Sequence, residues 1–358
     1  MSTLKDVARL AGVGVATASR VLSGHAAVSD VAVARVRSAV SQLDYRPSSI
    51  ARALSMKRSG AIGIYMPIFR GTFYANLLAS VDEQLRSVER HMVVANGCGL
   101  GNERQQALDG IEFLLSRDCD GVIVVSNELH DADLVRLMQR FEHSVIVNRH
   151  VAGFEAQCFD IDHEWGGRLA ARVLLARGHR DIATISGPHK AGDNEARMHG
   201  FRDELAAHGV TVDSAHAVDG DFTFAGGASA ARQLLPVGGA QSPASLRKRL
   251  PFTAVFCAND AMAMSLISSF SQVGLRVPQD VSVAGYDDAE YAAYTSPPLT
   301  TVQMPIEPVA ANACRFLLNR CYGLTLPLEG DCLPRVAWRQ SVRQGPHAAL
   351  ALDIPQAA

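Results

Sequence analysis

The chain has 358 residues, of which 48% are hydrophobic and 20% charged, and its formal net charge is −2. This length suits two or three compact domains with buried cores. The sequence contains no apolar run of the roughly 18 residues needed to span a bilayer, and its first residues lack the hydrophobic segment of a signal peptide. These features argue against a membrane protein and predict a cytoplasmic one.

The head of the chain is basic although the whole chain is slightly acidic. The first 58 residues contain nine Lys and Arg against three acidic residues, a balance of +6, so the remainder carries −8. A basic head on an acidic body is typical of a nucleic-acid-binding module attached to a second function.

The head sequence predicts three helices within about 45 residues. Thr3 and Asp6 have the spacing of a capping box that opens a first helix, and Gly12 ends it. A second helix should run from Val15 to about Leu22, and Ser29 should cap a third. Two helices joined by a tight glycine turn, followed by a third, are typical of a helix-turn-helix domain.

A short helical segment follows the head. Pro47 suits the first position of a helix, but only about two turns fit before Ser59 and Gly60. Such a short helix is unstable in isolation, so we expect it to become ordered only against a partner.

From Gly60 onward, apolar strand patterns alternate with helical patterns, which predicts parallel sheets covered by helices on both faces. The predicted strands cover residues 61–67, 92–96, 121–125, 144–148, 182–186, 253–258 and 280–285. The predicted helices cover residues 73–90, 102–117, 131–141, 164–178, 194–209, 225–235 and 260–273. Residues 236–251 are expected to form an exposed loop, and the chain from about residue 345 a frayed tail.

The seven cysteines are scattered and include no C-x-x-C pair, which favours reduced, mostly buried thiols over disulfides or a zinc site. No phosphate-binding loop, nucleophile elbow or complete H-E-x-x-H motif is present, and His163-Glu164 lacks the second histidine. We therefore expect no enzyme activity, no metal and no cofactor.

Several motifs resemble the LacI/GalR family of transcriptional regulators. TLKDVARLAGV at 3–13 and VATASRVL at 15–22 are similar to the family's DNA-binding head, and YRP at 45–47 with ARAL at 51–54 to its hinge helix. GYDD at 285–288 and LTTV at 299–302 extend the resemblance, and DADL at 131–134 and Asn148-Arg149 are similar to the galactose-repressor type.

The resemblance implies an α/β fold: a three-helix helix-turn-helix head and a hinge helix, then two Rossmann-like subdomains of the periplasmic-binding-protein type. The implied boundaries are a head at 1–46, a hinge helix at 47–59, an effector-binding and dimerisation core at 60–345, and a flexible tail at 346–358. Within the core, an N-subdomain is expected at 60–161 plus 291–322, and a C-subdomain at 162–290 plus 323–345.

The second helix of such a head lies in the major groove with its N-terminal residues over base edges. Val15 and Ala16 would then contact bases, Thr17 and Ser19 would lie nearer phosphate, and Arg20 would make the strongest base contact. Packing at the start of the helix is the alternative role for Val15. The predicted DNA-binding set is completed by Thr3, Lys5, Tyr45, Ser48, Ala51 and Leu54.

In this family the leucine that corresponds to Leu54 wedges into the minor groove at the centre of the operator, together with its twin from a second subunit. The resemblance therefore implies a homodimer on palindromic double-stranded operator DNA. The residues after 345 show no leucine heptads, which favours a dimer over a tetramer.

The resemblance also implies a small-molecule effector site at the carboxyl ends of the strands, where ligands of open parallel sheets bind. The expected effector-binding residues are Phe73, Tyr74, Asn148, Arg149, Asp162, Arg197, Phe222, Asn259 and Asp287. Arg197 and Asp287 would pair with hydroxyl groups, and Phe222 would stack on the ligand. Phe73 could instead belong to the core, and Arg149 or Asp160 could form an ion pair between subdomains.

The predicted function is a repressor of carbohydrate-utilisation genes that a small sugar, galactose or a β-glucoside-like compound, releases from its operator by shifting a conformational equilibrium. Two alternatives remain: a global regulator that answers to a protein co-regulator, and a regulator of a non-sugar ligand such as a purine. A transport binding protein is excluded because it would need export and would carry no basic helical head.

Overall fold

The computed structural model of the chain describes residues 2–22, 28–45, 58–97, 101–236, 242–330 and 332–357. Most of the predicted hinge helix, with Ser48, Ala51 and Leu54, lies outside the described residues. The described part is a helical head followed by two parallel-sheet units, which confirms the predicted fold class.

The head contains helices α1 Leu4–Ala11, α2 Val15–Leu22 and α3 Asp30–Gln42. Thr3 caps α1 through reciprocal hydrogen bonds with Asp6, and Gly12 ends it at φ 63°, a conformation that strains other residues. Ser29 stands at the N-cap position of α3, but its side chain makes no capping hydrogen bond. The helices pack around a small core of Val7, Ala8, Ala11, Ala18, Val36 and Ala39.

The first α/β unit is a five-stranded parallel sheet with strand order β2-β1-β3-β4-β5. Its strands are β1 Ala61–Tyr65, β2 His91–Ala95, β3 Gly121–Val124, β4 Ser144–Val147 and β5 Cys158–Phe159. Three helices connect the first four strands: α4 Thr72–Ser87, α5 Glu103–Ser116 and α6 Asp131–Arg140. The strands β3 and β4 are buried throughout, as parallel strands covered on both faces should be.

The second unit is a six-stranded sheet with strand order β11-β10-β9-β8-β6-β7, parallel except for the β10–β11 pair. Its strands are β6 Ile182–Ser186, β7 Ala217–Asp219, β8 Ala254–Cys257, β9 Ser282–Asp287, β10 Thr300–Gln303 and β11 Arg335–Ala337. The remaining helices are α7 His163–Ala176, α8 Gly192–Ala207, α9 Phe224–Leu234, α10 Pro243–Arg249, α11 Asp260–Gln272 and α12 Ile306–Tyr322.

The chain passes between the two units three times: after β5, after β10 and before β11. The helix α12 returns to the first unit and packs against α4, β3, β4 and β5. Because β10 pairs with β9, residues 300–303 belong to the second sheet. The expected assignment of 291–322 to the N-subdomain is therefore wrong at its start.

Two segments are more ordered than the sequence predicts. The expected loop at 236–251 contains helix α10, which Ser242 caps and whose Leu246 is buried. The expected tail instead packs on the second unit: the amides of Gly345 and His347 donate to the carbonyls of Arg177 and Gly178 at 2.6 and 3.1 Å. Apolar side chains anchor it further along, namely Leu350, Leu352 and Ile354. The prediction of a flexible tail is wrong because these contacts hold it.

Candidate functional site

The outer surface of α2 presents the residues that the sequence predicts to face DNA. Val15, Ala16 and Arg20 are exposed, Thr17 and Ser19 are half-buried, and Ala18 alone is directed fully into the head core. Five cations are exposed on the three helices of the head: Lys5, Arg9, Arg20, Arg35 and Arg37. Val15 is 43% exposed, so packing does not account for its place at the start of the helix.

Two other predicted DNA contacts have structural roles in the head. The Thr3 hydroxyl accepts from the Asp6 amide and donates to the Asp6 carboxylate at 2.7 Å. Tyr45 is half-buried and packs against the head core. Lys5 is exposed on α1 and remains available to a phosphate.

The carboxyl ends of the two sheets face each other at a junction, here called the cleft, because hydrogen bonds and an ion pair join residues near the strand ends of the first sheet to residues of the second unit. These contacts are Asn127 to Asp193 at 3.2 Å, Asn148 to His163 at 2.7 Å, Thr72 to Tyr291 at 3.2 Å, and Lys190 to Glu103. This is the edge at which ligands of parallel α/β sheets bind.

Arg197, on α8, is the most deeply buried cation of this cleft, with 3% of its surface exposed. Its guanidinium lies 3.8 Å from the centre of the Tyr286 ring and 5.4 Å from that of Phe222. It donates to the carbonyl of Ala258 and lies 3.6 Å from the carboxylate of Asp193. Its Nε atom is buried without a hydrogen-bond partner among the described residues.

Beside Arg197 is a hydrogen-bonded group that the sequence analysis did not predict. His163, the first residue of α7, contacts the Asn148 amide oxygen through Nε2 at 2.7 Å. Its Nδ1 lies 3.3 Å from both the Tyr286 hydroxyl and an Arg197 nitrogen. Burial and the Arg197 charge lower the pKa of His163 to about 3, so the imidazole is neutral at physiological pH.

Phe222 and Asn259 are held together on the second unit. The Asn259 amide donates to the Phe222 carbonyl at 3.0 Å, while its oxygen accepts from the Met262 amide and so caps α11. The Phe222 ring packs on Gly187, where a Cβ would come within 2.2 Å of the ring. Only glycine fits at 187, and the ring is thereby fixed beside Arg197.

Asp287, Phe73 and Tyr74 complete the set that faces the cleft. Asp287 ends β9, and burial raises the pKa of its carboxyl to about 7, with Asp193 adding to the shift and Arg197 opposing it. Phe73 and Tyr74 begin α4, pack edge-to-face at 5.2 Å and are half-buried against the core. Burial, with Glu128 and Asp193 nearby, raises the pKa of Tyr74 well above its usual value, so its hydroxyl stays protonated.

Two predicted effector residues are engaged elsewhere. Arg149 donates to the Asp131 carboxylate and to the Leu129 carbonyl, both at 2.6 Å, so it braces the first unit rather than pairing across the cleft. The Asp162 carboxylate caps α7 by accepting from the Trp165 amide at 2.8 Å. Both side chains serve local structure here.

Sequence reasoning missed Asp193, His163 and Tyr286. Asp193 had a signal, because it precedes Arg197 by four residues on one helix, the spacing of an ion pair. His163 and Tyr286 are 123 residues apart and meet only through the tertiary fold, so no local pattern indicates them.

The described residues contain one group of side chains with metal-ligand geometry, formed by Glu164, His199 and Asp203. Arg168 donates to both carboxylates, at 2.6 and 3.3 Å, and so already neutralises this exposed group. Four of the described cysteines are buried, as the sequence predicts: Cys119, Cys257, Cys314 and Cys321.

Comparison with known proteins agrees with both parts of this architecture. Residues 3–48 match bacterial regulatory proteins of the lacI family, and residues 171–342 match a periplasmic binding protein-like domain. The Escherichia coli HTH-type transcriptional regulator GalR is 33% identical over 96% of both chains. The E. coli ribose operon repressor is 34% identical over 91% of this chain and 95% of its own. The Photobacterium profundum HTH-type transcriptional repressor PurR is 33% identical over 89% and 92%.

Solved structures of regulators of this kind are also similar to this chain. A LacI-family regulator from Burkholderia phymatum is 44% identical with a TM-score of 0.72, over 79% of this chain and 99% of its own. The lac repressor dimer bound to operator and the anti-inducer ONPF is 25% identical with a TM-score of 0.82, over 96% and 99%. A CelR–cellobiose complex is 32% identical with a TM-score of 0.64, over 95% and 100%.

A helix-turn-helix head joined to two parallel-sheet units defines a DNA-binding transcriptional regulator. With relatives of this identity and coverage, the chain belongs to the LacI family of bacterial regulatory proteins. The expectation of a regulator rather than an enzyme is confirmed, because the matched relatives are transcriptional regulators. Among the described helices, none combines the length and the apolar character required to cross a bilayer.

Proposed function

We propose that this LacI-family repressor binds a palindromic operator as a homodimer and is released from it by a small neutral sugar. The observation that carries the proposal is the buried guanidinium of Arg197, which lies among aromatic rings and carboxylates at the edge where the two sheets meet. Galactose or a β-glucoside-like compound is the proposed effector class.

The chemistry of the cleft suits a polyhydroxyl ligand. Arg197 offers N–H donors, including an Nε without a partner among the described residues, while Asp193 and Asp287 offer carboxylate oxygens. Phe222 offers an aromatic face for the C–H surface of a sugar ring. Donors and acceptors placed side by side match the hydroxyl groups of a sugar, each of which both donates and accepts.

A purine is less well matched. Phe73 and Tyr74 are perpendicular to each other, at 90°, so the pair does not form a flat slot that stacks on both faces of a planar base. Among the relatives, the ribose operon repressor and the CelR–cellobiose complex carry sugars in their names, whereas PurR does not. These names support a sugar for this chain without identifying which one.

For DNA we propose that Val15, Ala16 and Arg20 contact base edges and that Lys5, Thr17 and Ser19 contact phosphates, since these residues lie on the outer surface of the head. Thr3 and Tyr45 would act indirectly, by fixing the shape of the head. Ser48, Ala51 and Leu54 remain the proposed contacts of the hinge helix at 47–59. The proposed core begins at residue 60 and includes the docked C-terminal segment.

The proposed coupling is a population shift between two arrangements of the two units. The contacts that bridge the cleft, such as Asn127 to Asp193 and Asn148 to His163, define the closed arrangement. An effector that binds one arrangement more tightly biases the equilibrium and so changes the order of the hinge helices on DNA. Couplings of about 1–3 kcal/mol change affinity roughly 5- to 150-fold.

Direct titration of the full-length protein tests the effector class. We would measure binding of D-galactose, cellobiose, D-ribose and hypoxanthine by isothermal calorimetry. The proposal expects saturable binding of at least one sugar and none of hypoxanthine. Binding of hypoxanthine alone would make the chain a purine-responsive regulator, and operator binding with no small-molecule binding would favour a protein co-regulator.

A further inference from the structure

His163 occupies a position that lets it act on both sides of the cleft at once. It is 5% exposed and begins α7, immediately after the chain leaves the first unit. One ring nitrogen contacts Asn148, which follows β4 of the first sheet, and the other faces Tyr286 and Arg197 of the second unit.

The protons on this imidazole follow from its neighbours. A guanidinium only donates hydrogen bonds, so the nitrogen that faces Arg197, Nδ1, must carry a lone pair. A neutral imidazole then bears its proton on Nε2, which donates to the Asn148 amide oxygen at 2.7 Å. Arg197, through its charge, and burial both disfavour protonation at Nδ1, and Asp193 is the carboxylate that opposes them.

We propose that His163 is a positioning residue that holds the oxygen of Asn148 and thereby leaves its amide nitrogen as the atom available to an effector. The inference rests on the proposed function of the cleft. Among the described residues no hydrogen bond to the Asn148 amide nitrogen is present, whereas its backbone amide donates to Phe159.

The consequence is a constraint on the ligand. Asn148 contributes a donor from one unit, and the unpartnered Nε of Arg197 contributes a donor from the other. The effector therefore presents acceptor oxygens, such as a ring oxygen or hydroxyl lone pairs, to both positions. An effector group that only donates has no partner at Asn148.

The ligand-free test is the tautomer of His163, read from nitrogen–proton correlations of the full-length protein labelled with ¹⁵N-histidine. The H163Q variant identifies the signals by their loss. We expect the neutral Nε2-protonated form, unchanged from pH 8 to pH 5. An Nδ1-protonated ring, or protonation with a midpoint near 6.5, would overturn the proposal.

The functional test compares H163Q with H163L in calorimetric titrations with D-galactose, cellobiose and D-ribose. Glutamine keeps a donor for Asn148 and an acceptor for Arg197, whereas leucine keeps neither. For whichever of these sugars binds the wild type, we expect H163Q to bind it within about threefold of the wild type. We expect H163L to bind it about 30-fold more weakly, because Asn148 is no longer held and polar groups of the buried site are left unpaired. Equal weakening in both variants, with cooperative unfolding retained, indicates a merely structural role and contradicts the proposal.

The two experiments separate this proposal from the proposed function. If none of the sugars binds the wild type, the proposed effector class fails, and the tautomer measurement alone decides the role of His163. If a sugar binds but the neutral His163 ring carries its proton on Nδ1, the proposed effector class stands and the positioning role of His163 fails.

Discussion

At the scale of single residues, Arg197 is the central hydrogen-bond donor of the proposed sugar site. It is buried, it lies over the Tyr286 ring, and its ion-pair partner Asp193 is 3.6 Å away rather than in a close bidentate pair. A guanidinium left incompletely paired in a buried site has donors to offer to a ligand. This is why the proposed sugar site is centred on it.

Replacing Arg197 with methionine should abolish sugar binding while the fold is retained. We expect the dissociation constant of R197M to rise about 100-fold or more, since buried charged hydrogen bonds of this kind are worth about 2–5 kcal/mol. Calorimetry with the sugar that binds the wild type measures the loss. The matched control is R202M, which removes an exposed arginine of the same helix. Equal affinities of wild type and R197M would contradict the assignment.

Asp287 should make sugar affinity depend on pH. Its pKa is raised to about 7 by burial, so the carboxylate that accepts from hydroxyl groups is lost as the pH falls through 7. Because sugar hydroxyls favour the charged form, binding releases a proton and affinity rises with pH, by about tenfold between pH 6 and pH 8. The D287N variant should show no such slope. A wild-type affinity that is flat over this range, or the same slope in D287N, would rule out this role.

At the scale of elements, the sequence predicted strands that are apolar along their length, such as β3 and β8, and seven of the eight described helices of ten residues or more that follow the head. It did not predict α12, although this helix is 17 residues long. It missed β5, β7 and β11, which are only two or three residues long and carry no pattern. It also missed β10, because Thr300 and Thr301 are polar although they are buried. Their hydroxyls bond to the Arg339 amide and to Asp260, partners that only the tertiary fold supplies.

The candidate site, like the secondary structure, was predictable from the sequence only in part. Asn148 and Asn259 follow strands and Asp287 ends one, so the rule that ligands bind at carboxyl ends locates them from sequence. Arg149 satisfies the same rule, yet it is directed to Asp131 instead. Strand ends therefore predict which residues reach the cleft edge, but side-chain direction depends on partners that are distant in sequence.

The C-terminal segment should contribute to stability rather than fray. Replacing Leu350, Leu352 and Ile354 together with serine should lower the free energy of unfolding by about 3 kcal/mol, since each half-buried side chain loses about 1 kcal/mol of burial. Urea unfolding measures the change. Serine at Leu328 and Leu333, both 48% exposed, is the control and should alter it by less than about 0.5 kcal/mol. A triple variant as stable as wild type would restore the prediction of a loose tail.

At the scale of the whole molecule, three crossovers of the chain connect the two units. The helix α12 follows β10 of the second sheet directly and packs on the first unit, so it links the two units. The bridges across the cleft that the structure describes are hydrogen bonds and an ion pair, so one ligand can shift the balance between arrangements. The basic head precedes the first unit in the chain, so a shift between the arrangements would change how the head is presented to DNA.

The central claim is that a sugar in the cleft controls operator affinity. The most direct measurement is fluorescence anisotropy of the full-length protein on a palindromic operator probe at fixed salt, with and without a saturating concentration of the sugar that calorimetry identifies. We expect the sugar to lower the operator affinity of the wild type by about 5- to 150-fold. R197M should bind the operator and keep its affinity when the sugar is added. Wild-type affinity unchanged by a sugar that demonstrably binds would contradict the account.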